Sequence, residues 1–349
     1  MPVTVDDVRE RTLTDDRDKW DVLADPRDLL LVDGRLAFQR PYGDTQAGSL
    51  RPGTWATGQM CRRLGIPTPY FRRCPPFLQD RQFNHWLHDA PQSQGSTPRA
   101  SDKWFLRCKG DSLRGVLSER YSCLDNADLM RSLEPALDSR YRVGWFALTE
   151  ESFHLRLLDY RLAREVLPND RLVAGIHVAN SEVGKRAVTV DALVYRLVCT
   201  NGLIRLVRGA SLMNRRHVSL SRLQFEAGLQ QAIRDALVSG VGFMERLAVA
   251  TTQPVQDVDR TIRRFSTQWA LSQATETNIR QALLTEPRTQ QETVYGLVNA
   301  VTNAAQALPP DDRYSLEALA STLLDGAAAR PARETIEPMG ERQELDLCA

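Results

Sequence analysis

Between Lys103 and about Leu220 the apolar residues alternate with polar ones, and beyond Leu220 they recur at helical spacing. These two periods divide the chain, because side chains alternate faces on a strand and return every 3.6 residues or so on a helix. The alternating part predicts successive hairpins. Trp104–Lys109 and Leu113–Ser118 pair around Gly110-Asp111. Arg142–Leu148 and Phe153–Asp159 pair across Thr149–Ser152, and Leu172–Ala179 pairs with Ala187–Cys199 across Asn180–Gly184. A final hairpin turns at Asn201-Gly202, since both residues tolerate a type I′ turn. One helix interrupts the series, capped by Asp125 or Asn126 and striped by Leu129, Met130, Leu133 and Leu137. The expected fold is α+β, a mainly antiparallel sheet of successive hairpins with one packed helix.

The flanks read differently. Residues 1–50 form a loosely patterned leader with one strand candidate at Leu29–Gly34, and residues 55–89 carry short helices broken by Pro67, Pro69 and Pro75-Pro76. Residues 90–102 have linker composition. After the sheet, helices are expected at Leu223–Leu237, Phe243–Ala248, Val255–Leu271, Glu276–Leu284, Glu292–Ala307 and Ser315–Leu324. The domain reading is therefore 1–100 as leader and short helices, 101–220 as the antiparallel core, 221–327 as a helical region, and 328–349 as an acidic disordered tail.

Composition is that of a soluble chain, 42% hydrophobic and 26% charged, and no run approaches the roughly 20 apolar residues of a membrane span. With an acidic N-terminus lacking a signal core, and six scattered cysteines without Cys-x-x-Cys, a reduced cytoplasmic protein is expected. No ligand set has zinc spacing, so neither metal nor cofactor is expected. His85 and His88 are three apart but have no third partner, and His177 reads as a packed or edge residue.

The net charge of +1 hides an asymmetry. Residues 1–225 hold 34 Lys and Arg against 27 Asp and Glu, whereas residues 226–349 hold 11 against 17. Arginine outnumbers lysine 41 to 4, a ratio that a GC-rich genome explains cheaply. Genome bias does not explain where the charge sits. From Ala192 to Phe225 no acid occurs, yet Arg196, Arg205, Arg208, Arg215, Arg216 and Arg222 do. A two-residue turn at Asn201-Gly202 would place Val198 opposite Arg205 and Arg196 opposite Val207. The sheet would then be half-buried, with a basic outer surface.

A second acid-free run, Thr45–Gln79, interleaves Arg51, Arg62, Arg63, Arg72 and Arg73 with Trp55, Tyr70 and Phe71. Arginines beside aromatics grip a phosphate backbone while bases stack. The plainer reading makes the aromatics core and the arginines a solvated face. A helix-turn-helix over residues 57–73 is disfavoured, because the prolines leave scarcely one turn for a major groove. Asn201 is most simply a turn residue. Glu182 and Lys185 read either as solvated loop residues or as site residues, and His217 as a surface or helix-entry residue or a catalyst. Cys199 reads as core, and Glu150-Glu151 and Asp311-Asp312 as turn residues that aid solubility.

Thr57-Gly-Gln-Met-Cys-Arg-Arg-Leu-Gly-Ile-Pro, Leu117-Ser-Glu-Arg-Tyr, Asn180-Ser-Glu-Val-Gly184, Val198-Cys-Thr-Asn-Gly202, Arg216-His217 and Asn299-Ala-Val-Thr-Asn303 occur in that order. Over roughly residues 55–325 the chain resembles the phage/plasmid-like domain-of-unknown-function family. The resemblance implies a mobile-element context and carries no secure activity with it.

Together these features predict a non-enzymatic nucleic-acid-binding protein, a single-strand DNA binder or annealer in replication or recombination. Its backbone contacts would be Arg196, Arg205, Arg208, Arg215 and Arg216, then Arg62, Arg63, Arg72 and Arg73. The acidic tail would meet a protein partner or shield the basic face, and homo-oligomer formation stays open. Two alternatives remain: a metal-dependent enzyme on nucleic acid or nucleotides using Glu182, Asp191 and His217, and a protein-interaction module with a basic docking face.

Overall fold

A computed structural model describes residues 3–40, 48–89, 103–197, 201–205, 213–215 and 222–325. The fold is α+β, with two six-stranded sheets. The first sheet is built largely from the segment expected to be a leader. Helix α1 (Val5–Asp16) starts at a capping box in which Thr4 and Asp7 exchange hydrogen bonds. Strands β1 (Lys19–Ala24), β2 (Leu29–Val32), β3 (Arg35–Phe38) and β4 (Ser49–Pro52) follow. They join the hairpin β5 (Trp104–Lys109) and β6 (Ser112–Ser118) in the order β1-β5-β6-β4-β3-β2. The sheet therefore crosses the boundary expected near residue 100. It is mixed, since β4 runs parallel to β6. Helices α2 (Thr54–Arg63), α3 (Thr68–Arg73) and α4 (Pro76–Asn84) cover it. They contribute Met60, Cys61, Phe71 and Phe83 to a core with Leu29, Leu31, Leu36, Trp104 and Leu106.

After helix α5 (Asn126–Leu133) the second sheet takes over. Strands β7 (Tyr141–Leu148), β8 (Phe153–Leu167), β9 (Asp170–Asn180), β10 (Val188–Arg196) and β11 (Asn201–Arg205) lie in chain order, all antiparallel. A short β12 (Met213–Arg215) pairs with β10 beside β11. The predicted Asn201-Gly202 turn is not where the chain reverses. Arg196 pairs with Asn201, Tyr195 with Gly202 and Ala192 with Arg205, so both turn candidates sit inside β11. Local turn preference loses here to register, which the side-chain period and burial of the whole strand fix.

Nor is β10 half-exposed. Every residue of β10 is buried. One face packs on α5 and on α6 (Arg222–Ala250), where Leu155, Ile176, Val178 and Val190 meet Phe225, Leu229 and Ile233. The two helices expected over residues 223–248 are a single helix of 29 residues. Helices α7 (Val258–Gln268), α8 (Gln273–Thr285) and α9 (Val294–Ala305) close one end of the sheet. Helix α10 (Pro310–Ala320) covers the other face, with Ala318 and Tyr314 against Leu158, Val173 and Leu193. Among the described residues no helix is long and apolar enough to cross a membrane. The expected linker at 90–102 and tail at 328–349 lie outside the described residues.

Candidate nucleic-acid interface

The arginines of the acid-free runs part company in three dimensions. Arg196 ends β10 with its guanidinium buried, donating to Asp170 at 2.6 Å and to Glu286 at 2.7 Å. Burial opposes its charge, but these two carboxylates hold it ionised more firmly than usual. It faces protein anions rather than a phosphate, which corrects its place at the head of the expected backbone contacts. The acids it needs come from β9 and from the end of α8, outside the acid-free window. Arg208, Arg216 and His217 lie outside the described residues, as do the side chains of Asn201, Arg205 and Arg215.

Glu182 is no solvent-facing loop residue. Residues 180–183 are buried between the two sheets, and the Glu182 carboxylate receives Lys19 at 2.8 Å, Arg114 at 2.6 Å and the Asn126 backbone N–H at 2.8 Å. The last contact seats a carboxylate on the N-terminus of α5, where anions are favoured. Asp125, expected to cap that helix with its side chain, turns to Arg107 instead. Burial works against ionisation of Glu182, but Lys19 and Arg114 outweigh it and hold its pKa below the ordinary value. Trp55 Nε1 and Gln59 Nε2 both donate to the Val183 carbonyl, locking α2 to the same segment. Asp191 accepts from Tyr314 at 2.9 Å in a different cluster, so Glu182 and Asp191 are not brought to one centre. Among the described residues no group of three His, Cys, Asp or Glu could hold a metal ion.

That other cluster joins the second sheet to α10, and no spacing in the chain brings its members together. Arg156, His177 and Asp191 lie abreast on β8, β9 and β10. His154, one step along β8, bonds to Asp311 through Nε2 at 3.0 Å and to His177 through Nδ1 at 3.1 Å. Arg156 Nε donates to His177 Nδ1 at 3.3 Å. One set of neutral tautomers satisfies these contacts: His177 donates from Nε2 and His154 donates from Nε2 to Asp311, while Arg186, 3.1 Å from the same nitrogen, donates to Asp311. Burial drives the pKa of His154 down to about 4 and that of His177 well below its usual value. Arg156 also binds Glu317, while Arg186 and Lys185 reach Asp311 at 3.0 and 3.1 Å. Asp311, expected in a solubilising turn, is thus a principal docking residue of α10.

The remaining arginines gather on the first sheet. On α2, Trp55 has the Arg62 guanidinium 5.9 Å and the Lys185 ammonium 5.6 Å from its ring centre. Arg72 donates to the Thr54 carbonyl at 2.8 Å, which sets it beside the same helix. Arg63 lies inward, 5.7 Å from the Trp104 ring centre. Arg73 and Arg81 are exposed, and three aromatics near them in the sequence are exposed as well: Tyr70 at 54%, Phe77 at 65% and Trp86 at 45%. Phe77, Arg81 and His85 follow one another at helical spacing along α4 and the turn after it, so an aromatic and two basic groups share a ridge.

The neighbouring ridge of α4 holds the platform in place. Asp80 accepts from the Asp33 and Gly34 amides at 2.7 and 3.0 Å. Asn84 both accepts from and donates to the Leu31 backbone at 2.8 Å, and His88 Nε2 donates to the Leu29 carbonyl at 2.8 Å. These side chains stand where a further strand would pair with edge strand β2, satisfying backbone groups that an open edge exposes. The outward ridge is therefore carried on a braced edge.

The family described as "Domain of unknown function (DUF932)" matches residues 114–310. No curated protein and no solved structure matches the chain.

Proposed function

From a chain that belongs to the DUF932 family, we propose a single-stranded nucleic-acid-binding protein that uses the α2–α4 surface, acting in replication or recombination of a phage- or plasmid-type element. The observation that carries this reading is the set of exposed rings Tyr70, Phe77 and Trp86 interleaved with exposed Arg72, Arg73 and Arg81. Exposed aromatics offer faces on which bases stack, and arginine forks meet phosphate oxygens. Trp55, with Arg62 and Lys185 beside it, extends the surface toward the second sheet. Arg205, Arg208, Arg215 and Arg216 stay in the proposal on their sequence pattern, and Arg196 leaves it.

The test is anisotropy of a labelled single-stranded oligonucleotide titrated across salt. Affinity should fall as salt rises, by about 0.7 log units per log unit of salt for each phosphate neutralised. Arg73→Ala with Arg81→Ala should weaken binding and flatten that slope by about 1.4, two contacts' worth. An Arg205→Ala, Arg208→Ala pair asks the same of the second run. Unchanged affinity and slope in the first pair would remove the α3–α4 surface. Absence of wild-type binding even near 50 mM salt, where such contacts are strong, would replace the reading by a basic docking face for an acidic protein.

A further inference from the structure

We infer that Phe77 is a wedge that enters the base stack where a single strand runs into a duplex, an inference that rests on the nucleic-acid reading above. Tyr70 and Phe77 are both exposed aromatics, yet they are held differently. The Tyr70 hydroxyl accepts a hydrogen bond from Gln82 at 3.2 Å, which anchors the ring as a platform. Phe77 sits at the start of α4, immediately after Pro75 and Pro76, and is the more exposed of the two at 65%.

The tip carrying Phe77 is braced from both sides. Pro75 and Pro76 fix their own backbone angles, and Gln79 Nε2 donates to the Phe71 and Cys74 carbonyls at 3.0 and 2.9 Å. The Leu78 and Gln79 amides close on the Pro75 carbonyl at 2.9 and 3.1 Å. The large apolar side chain is thus projected into water from a turn with little freedom to withdraw it. Arg73 precedes the tip and Arg81 follows it, both exposed. A braced apolar tip flanked along the chain by two exposed arginines suits a base step flanked by its phosphates. Proteins that part bases insert Phe or Leu between them while cations hold the backbone. A junction is the favoured substrate because fewer stacked neighbours must be separated there than inside a duplex.

The experiment uses the full chain and a hairpin oligonucleotide with 2-aminopurine at the last base pair before a single-stranded tail. At saturating wild-type protein, 2-aminopurine emission should rise severalfold as the base unstacks. Phe77→Ala, at its own saturation, should bind with no rise, and Phe77→Leu, which keeps an apolar wedge without a ring, should retain most of it. A rise in Phe77→Ala equal to wild type would overturn the wedge while leaving the binding surface intact. A loss in Phe77→Leu as complete as in Phe77→Ala would overturn it in favour of ring stacking on the single strand. If wild type shows no salt-dependent binding to this oligonucleotide, the wedge and the binding reading fall together. Melting curves of all variants should coincide with wild type, because Phe77 lies outside the core.

Discussion

Arg196 at the end of β10 donates to Glu286, 90 positions away, at 2.7 Å, and to Asp170 on its other side at 2.6 Å. Tyr295 completes the group by donating to Asp170 at 2.9 Å. The strand end, the β8–β9 hairpin and the α8–α9 connection meet at this one guanidinium. Arg196→Ala leaves two buried carboxylates facing each other without their counter-ion. Such a change costs about 3–5 kcal/mol. Urea denaturation should show a loss of that order, and salt-dependent nucleic-acid affinity of the folded variant should match wild type. A loss below about 1 kcal/mol, the range of exposed ion pairs, would mean that the guanidinium is not the hub drawn here.

Asn84 seals the edge of the first sheet through both backbone groups of Leu31. Asn84→Ala removes both partners at once, and each unsatisfied buried group costs about 1–3 kcal/mol. The melting temperature should fall. Because an opened edge invites pairing with another chain, the variant should also elute as larger species at high concentration. A monomeric variant with an unchanged melting curve would show that water replaces the side chain without loss.

Much of this architecture is legible in the chain, and the limits have physical causes. Period-2 alternation locates β5 to β10, and proline and glycine punctuation bounds α2 and α3, because these signals are local. The run from Thr45 to Gln79 stands out by charge alone. What escapes is distant in sequence. Nothing beside Arg196 announces Asp170 or Glu286, so the acid-free window gives no sign that this one arginine is paired. Asn201-Gly202 favours a turn locally, but β10 is buried on both faces and sets the register over the turn residues. Asp311 looks like a loop acid until α10 is laid on the sheet and meets His154. The N-terminal helix had a readable start, the Thr4-x-x-Asp7 capping box, that its weak apolar stripe concealed.

Gly184 and Glu182 make a third prediction. Gly184 has φ of +74°, and a Cβ there would come within 2.6 Å of Leu117 Cδ2. Gly184→Ala combines left-handed strain with that clash, so about 1–3 kcal/mol should be lost. Glu182→Gln keeps the shape but removes the charge facing Lys19 and Arg114. It should destabilise the contact between the sheets, read as earlier hydrogen exchange at the start of α5. Exchange there unchanged from wild type would show that the charge is dispensable.

The buried histidines set a pH dependence with a definite sign. His154, with a folded pKa of about 4 against an ordinary 6.5, binds its proton less readily in the folded chain, chiefly because it is buried. His177 is shifted the same way by burial, with Arg156 beside it. The unfolded chain therefore takes up protons first as pH falls. The stability His154 contributes is complete above about pH 6.5 and drains away as pH drops toward about 4, and His177 acts in the same direction. Each histidine gives a slope of up to about 1.4 kcal/mol per pH unit. Asp311, held below its ordinary 3.8 by His154, Arg186 and Lys185 against the effect of burial, adds a further loss at lower pH. Lys185 and Arg186 face Asp311, and Glu317 pairs with Arg156 and Arg313. Urea midpoints measured across this range should fall steadily. His154→Gln can still donate to Asp311 but has no imidazole to titrate, so it should start lower at neutral pH and fall less steeply. Parallel curves for the two proteins would place the acid sensitivity elsewhere than in the contact between β8 and α10.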